Sequence, residues 1–117
     1  MTPELDPLPE ETRARLAELR AQIERIGIVL RGSVTERYVP CGKKGCRCQA
    51  VPPTLHGPYY EWTTKVAGKT RNIRLRPDQA RIYREWIANS RQLDRLITAW
   101  EQIGLEAAAQ IRETLPP

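Results

Sequence analysis

Every cysteine and the only histidine of this chain fall within sixteen consecutive positions, Cys41 to His56, in the stretch CGKKGCRCQAVPPTLHGPYY. The spacing is C-x4-C-x-C-x7-H. Three thiolates and one imidazole make up the donor set of a closed, tetrahedral structural zinc site, which leaves no coordination position open. A loop that must bring four donors to one point is tightly constrained. Gly42 and Gly45 lie between the first two cysteines, where a tight turn has to aim backbone and sulfur inward. The competing reading is three reduced thiols and a surface histidine. Free cysteines do pack as small hydrophobes, but these sit among lysines, prolines and glycines. The setting favours Zn2+ held by Cys41, Cys46, Cys48 and His56.

The 117 residues are enough for one domain with a modest core. Phenylalanine is absent, so aromatic packing falls to Trp62, Trp86, Trp100 and four tyrosines. No run of about 18 apolar residues exists to span a membrane. The opening MTPELDPLPEE is acidic and proline-bearing, unlike a secretory leader. With an odd cysteine count, that points to a reducing, cytoplasmic setting.

The net charge of +5 is unevenly spread. Residues 31–76 carry ten Lys or Arg against Glu36 and Glu61, a net +8, and the remainder carries nine basic and twelve acidic groups, a net −3. A bound Zn2+ with three thiolates would lower the middle by only about one charge. Such one-sided concentration is the footprint of a polyanion binder. Simple solvation of a charged surface is the alternative.

Three segments are legible: an amphipathic helix within 1–30, a basic β-rich module at 31–76 and a long helical segment at 77–117. Thr12, Leu16, Leu19, Ile23, Ile26 and Leu30 recur at spacings of four and three, one apolar stripe on a helix from Pro9 to about Gly27. Asp6 or Leu8 precedes a proline at its start, Glu10 and Glu11 suit its N-terminal dipole end, and Gly27 supplies a stop. Ser33–Val39 has strand composition. Tyr59–Val66 and Lys69–Arg76 flank a two-residue turn, Ala67-Gly68, which fixes a register. Tyr60 then opposes Leu75, Trp62 opposes Ile73 and Thr64 opposes Arg71. On the other face Tyr59 opposes Arg76, Glu61 opposes Arg74 in a cross-strand ion pair, Thr63 opposes Asn72 and Lys65 opposes Thr70.

Pro77 and Asp78 start the last helix. Its stripe runs through Ile82, Trp86, Asn89, Leu93, Leu96, Trp100, Ile103 and Ala107, widened by Tyr83, Ile87, Ser90 and Ile97. Gly104 is expected to kink or end it, with Leu105–Leu115 a further helical piece before Pro116-Pro117. The stripe is longer than the first helix can cover, so either the helix folds back at Gly104 or a second subunit covers it, giving a homodimer. Asn89 is either a buried amide that fixes register or a solvent-facing one. The fold class is α+β: a small antiparallel sheet of about three strands with a zinc-knuckle loop, between an N-terminal helix and a long C-terminal one, in one compact domain.

The string LRGSVTERYVPCGKKGCRC, followed by HGPYYEW, VAGKTR and a long helix, resembles an uncharacterised bacterial and archaeal domain family. Its pattern runs G-S-x-x-x-x-Y, C-G-K-x-G-C-x-C, H-G-P-Y-x-Y and G-K-T, over roughly residues 30–100 here. Glu61-Trp62 replaces the usual aromatic after HGPYY, and QAVPPTL replaces a short Gly-rich loop. The resemblance implies the same four metal ligands and a setting near mobile elements, with no settled activity.

Enzymatic chemistry is poorly supplied. A fourth ligand closes the metal position that a catalytic zinc keeps open. No third group orients a Cys-His pair, and AGKT at 67–70 lacks the upstream glycine of a phosphate loop. The sequence reads instead as a nucleic-acid-binding module, an accessory or regulatory factor of transcription or a mobile element, with DNA favoured over RNA. Lys43, Lys44 and Arg47 on the knuckle and Lys65, Lys69, Arg71, Arg74 and Arg76 on the hairpin would meet phosphates. A β-ribbon can enter a major groove, which makes Thr63, Asn72 and Arg74 candidates for base edges, and Tyr59 could stack on an unpaired base. The alternative is a helical protein–protein interaction or oligomerisation adaptor with a structural zinc site, its basic patch meeting an acidic protein.

Overall fold

The computed structural model describes residues 7–115 and 117. The elements run α1 (Glu10–Glu24), β1 (Ser33–Val39), β2 (His56–Val66), β3 (Lys69–Leu75) and α2 (Pro77–Thr114), with a short 3-10 turn at Arg47–Gln49 between β1 and β2. The sheet is antiparallel in the order β1-β2-β3. This is the α+β arrangement that the sequence implies. Asp6 and Pro116, proposed as boundary residues, lie outside the described residues. No described helix is long and apolar enough to cross a membrane.

The chain divides into two compact units: Val29–Ala88 forms one, and the residues up to Ile28 together with those from Asn89 onward form the other. The segments 1–30, 31–76 and 77–117 are thus distributed over two units, with α2 contributing to both.

In the helical unit, Leu19, Leu96 and Ile103 form the buried centre, and Leu16, Ile23 and Ile26 pack against it. Polar contacts fix the antiparallel sense of the two helices. The Thr12 hydroxyl donates to Gln110 Oε1 at 2.9 Å, Arg15 pairs with Glu106, and Asn89 Nδ2 donates to the Ile28 carbonyl at 2.8 Å. Asn89 is therefore a half-buried amide with a backbone partner. Helix α1 ends at Glu24, before Gly27, because the amides of Arg25 and Ile26 turn to the carbonyls of Gln22 and Ile23 and tighten the last turn.

Helix α2 neither ends nor folds back at Gly104: it is continuous from Pro77 to Thr114. One glycine costs about 1 kcal/mol in a helix interior, too little to stop a helix held by contacts on both sides. The apolar stripe is also rotated from the expected phase. Ala80, Ile87, Ser90, Leu96 and Ile103 are buried, whereas Ile82, Ile97 and Trp100 are exposed.

In the sheet unit the hairpin register is as the turn dictates, from Tyr60↔Leu75 through Trp62↔Ile73 and Glu61↔Arg74 to Val66↔Lys69. Ala67 (φ 52°) and Gly68 (φ 79°) both adopt the left-handed conformation of a tight two-residue hairpin. Strand β3 stops at Leu75, so Tyr59 and Arg76 form no ladder pair, and β2 starts three residues before the expected Tyr59. One sheet face meets the start of α2: Trp62 stands edge-on to Tyr83 at 5.3 Å, and Tyr83 stacks on Trp86 at 6.0 Å. The Glu61–Arg74 ion pair is not formed. Glu61 instead faces Arg37 of β1 at 3.8 Å, and the Arg74 guanidinium lies 4.5 Å over the Tyr59 ring.

A Cβ added at Gly104 would meet nothing within 4 Å. Gly104→Ala should therefore stabilise the protein by up to about 1 kcal/mol, read as a higher urea midpoint with unchanged helicity. A lower midpoint would show that Gly104 is not in regular helix.

Candidate metal centre

Three backbone devices bring the cysteines and the histidine together. Cys41 follows β1 by two residues. The Cys46 amide bonds the Lys43 carbonyl at 3.3 Å, closing a turn in which Gly45 takes φ 80°. Of the two glycines between Cys41 and Cys46, only Gly45 needs the left-handed region. Cys48 lies in the 3-10 turn and is buried. His56 opens β2 opposite Val39, beside a β-bulge between Arg37 and Val39. The long loop before His56 folds back on itself. Gln49 Nε2 donates to the Cys41 carbonyl at 2.9 Å, and the Thr54 amide donates to the Arg47 carbonyl at 3.0 Å.

The ligand atoms of Cys41, Cys46, Cys48 and His56 all lie within 4.8 Å of one another. Cys41 Sγ is 3.5 Å from Cys48 Sγ, and Cys46 Sγ is 3.1 Å from His56 Nε2. Sulfurs about 2.3 Å from a tetrahedral ion stand roughly 3.8 Å apart, so these four donors fit one metal ion with small adjustments.

The surroundings bias the thiols differently. The Cys46 thiol is pulled down to about 6, first by the backbone N–H of Cys48 and then by the His56 ring and the Cys48 and Cys41 thiols. Cys48 is raised overall. The Cys41 backbone N–H, its largest single influence, favours thiolate, but burial and the neighbouring thiols outweigh it. The Cys46 thiolate forms readily, and Cys48 resists joining it without a cation.

The candidate nucleic-acid residues separate into three places. Lys43, Lys44 and Arg47 are exposed around the cysteine turns. Tyr59, Thr63, Lys65, Asn72 and Arg74 share the sheet face opposite Trp62, while Lys69 and Arg71 lie on the Trp62 side near the hairpin tip. Thr63 donates to Asn72 Oδ1 at 2.8 Å, so these two hold each other. Arg76 turns away to Asp78 at 3.3 Å, whose carboxyl it holds below its usual range. Sequence reasoning missed that β1 extends the polar face. Ser33 registers with Thr63, Thr35 with Glu61 and Arg37 with Tyr59. No tight turn joins β1 to β2, so only the alternation within Ser33–Val39 hinted at this.

Residues 9–84 match the family described as Domain of unknown function (DUF6788). The match spans more than half of the chain and contains all four cluster residues, and the chain belongs to this family. It begins earlier and ends earlier than the resemblance over residues 30–100. No curated protein and no solved structure matches the chain.

Protein purified without chelator should carry one metal ion per chain by elemental analysis, and Cys46→Ser should lower that content. In the metal-free site the Cys46 pKa is depressed from its ordinary value of 9.0 to about 6, so its thiolate persists at neutral pH and is lost as pH falls through about 6. Uptake of added metal by metal-free protein should therefore weaken as pH falls through that range. Metal-free protein with all three thiols freely reactive would overturn the assignment.

Proposed function

We propose that this protein is a zinc-stabilised nucleic-acid-binding module. The observation that carries the reading is the charge of one unit: Val29–Ala88 holds twelve Lys or Arg against four acidic residues, a net +8. Zinc is the ion that suits three cysteines and one histidine with no open position, and bound there it would hold the knuckle rather than do chemistry. Three reduced cysteines suit the cytoplasm. Sequence resemblance supports a setting near mobile elements, and an accessory or regulatory role there or in transcription is part of this reading.

The hairpin supplies the contact for a duplex. Beyond Ser33↔Thr63 strand β1 ends, so residues 64–71 form a two-stranded ribbon with Lys65, Lys69 and Arg71 around its turn. A ribbon of this width enters a DNA major groove, which supports DNA over RNA. Phosphates neutralised there and at Lys43, Lys44 and Arg47 give affinity without sequence information.

A second reading rests on Trp100, which is 44% exposed beside a cleft of about 630 Å³ lined by Ala17, Arg20, Ala21, Ile23 and Glu24. A second copy of the chain is its natural occupant. Arg20 and Glu24 on its lining carry the opposite charges that a two-fold contact would pair.

Two measurements separate these readings. Replacing Lys65, Lys69 and Arg71 together by Gln should abolish duplex binding and leave metal content and helicity intact. Each single change should reduce the salt slope by about one. Equal binding by the triple variant would reduce the patch to solvation. Trp100→Glu should turn a micromolar dimer into monomer in sedimentation, and a parent that is already monomeric would remove the second reading.

A further inference from the structure

We infer that the open face of the three-stranded sheet is a stacking platform for single-stranded nucleic acid, centred on Tyr59. The inference rests on the nucleic-acid reading above and assigns it a second, distinct contact surface.

The face is built in rows across all three strands. Ser33, Thr63 and Asn72 form one row, Thr35, Glu61 and Arg74 the next, and Arg37 stands beside Tyr59 in the third. The opposite face is occupied by the start of α2 through Tyr83. On the open face Ser33, Thr35, Arg37, Asn72 and Arg74 are all exposed. Three strands side by side span about 10 Å between the outer backbones before side chains are added. That is too broad to enter a major groove face-on, which admits two strands. A flexible single strand, with unpaired bases, is the nucleic acid that can lie on such a surface.

The Arg74 guanidinium already marks the stacking position. A planar cation lies 4.5 Å over the Tyr59 ring, where a planar base would lie. Cation–π contacts at exposed positions are weak, so a base replaces the guanidinium and releases it toward the adjoining phosphate. Arg37, from the other neighbouring strand, offers a second phosphate contact. Glu61, the one acidic group on the face, is paired with Arg37 at 3.8 Å. The Thr63–Asn72 pair supplies hydrogen-bonding groups to base edges one row further on.

The surface also has ends. His56 begins β2 beside the basic knuckle, and Lys65 lies nine residues on, near the basic tip. At about 3.3 Å per residue these stand roughly 30 Å apart. A strand laid along β2 passes Tyr59 between two positive regions.

The metal-loaded 117-residue chain should be titrated by fluorescence anisotropy with oligothymidine, oligouridine and a mixed-sequence duplex. Tyr59→Ala should weaken binding of the single strands roughly 5- to 150-fold, the loss of one stacked base, with duplex binding unchanged. Tyr59→Phe should retain single-strand binding, since it keeps the ring. The two oligonucleotides distinguish DNA from RNA as the source of the strand. Photocrosslinking of the parent protein with a halogenated uridine oligonucleotide gives a readout that no variant's folding affects, and the crosslink should map to the Tyr59 peptide. Crosslinks confined to the hairpin tip, or unchanged single-strand binding by Tyr59→Ala, would overturn the platform and leave the duplex reading standing. A parent that binds none of the probes would overturn both.

Discussion

At Gly57 the backbone takes φ 144°, and an added Cβ would come within 2.7 Å of the Arg37 carbonyl and 2.9 Å of the Tyr38 ring. The absence of a side chain there lets β2 close against the bulge in β1. That closure sets His56 across from Val39 and brings its ring to Cys46. Much of the remaining site depends on it, because the intervening loop has little else to hold it. From Cys41 to Leu55 only Cys48 is buried, and Val51 is 97% exposed. Hydrophobic burial cannot order such a segment. Four convergent donors can, since ion binding becomes folding free energy when the ligands are assembled only in the folded chain.

The two units divide the chemistry. Excess positive charge belongs to the sheet unit, while the helical unit has seven basic and ten acidic residues and a small apolar centre at Leu19, Leu96 and Ile103. Net charge governs long-range attraction to a polyanion. An exposed tryptophan beside alanines governs close packing with protein. The proposed binding and the proposed association thus rest on separate physical bases in one chain, and substitutions can test each apart from the other.

How much of this was legible depended on whether a local rule fixed the geometry. The Ala67-Gly68 turn admits one register, so every ladder pair from Tyr60↔Leu75 to Val66↔Lys69 could be read from sequence. The ligand cluster was legible because the chain owns so few soft donors. The partner of Glu61 was not. Register names the residue directly opposite, Arg74, but long side chains also reach diagonal neighbours, and the diagonal Arg37 on β1 makes the ion pair. Helix α2 was misread at Gly104 because propensity is local and modest, whereas helix continuity is set by packing over many turns. The phase of its stripe shifted for the same reason: Tyr83 and Ile87 face in where α2 meets Trp62, and a sequence pattern cannot say which of two adjacent apolar columns finds a partner.

The arginines show why counting charges understates what folding adds. Arg37, Arg74, Arg76 and Arg84 each have an intramolecular partner: Glu61, the Tyr59 ring, Asp78 and the Tyr60 ring. These contacts lie at exposed positions, where water and salt weaken them, so they do not withdraw the cations from a polyanion. Their effect is on position. Arg37 and Arg74 come from opposite outer strands and share a face with the central Tyr59, because the register sets Arg37 opposite it and puts Arg74 on the same face. A disordered basic segment of equal charge would bind through counterion release alone. Here the sheet places two arginines on the same face as an aromatic ring before any ligand arrives, which would lower the ordering cost of the proposed binding.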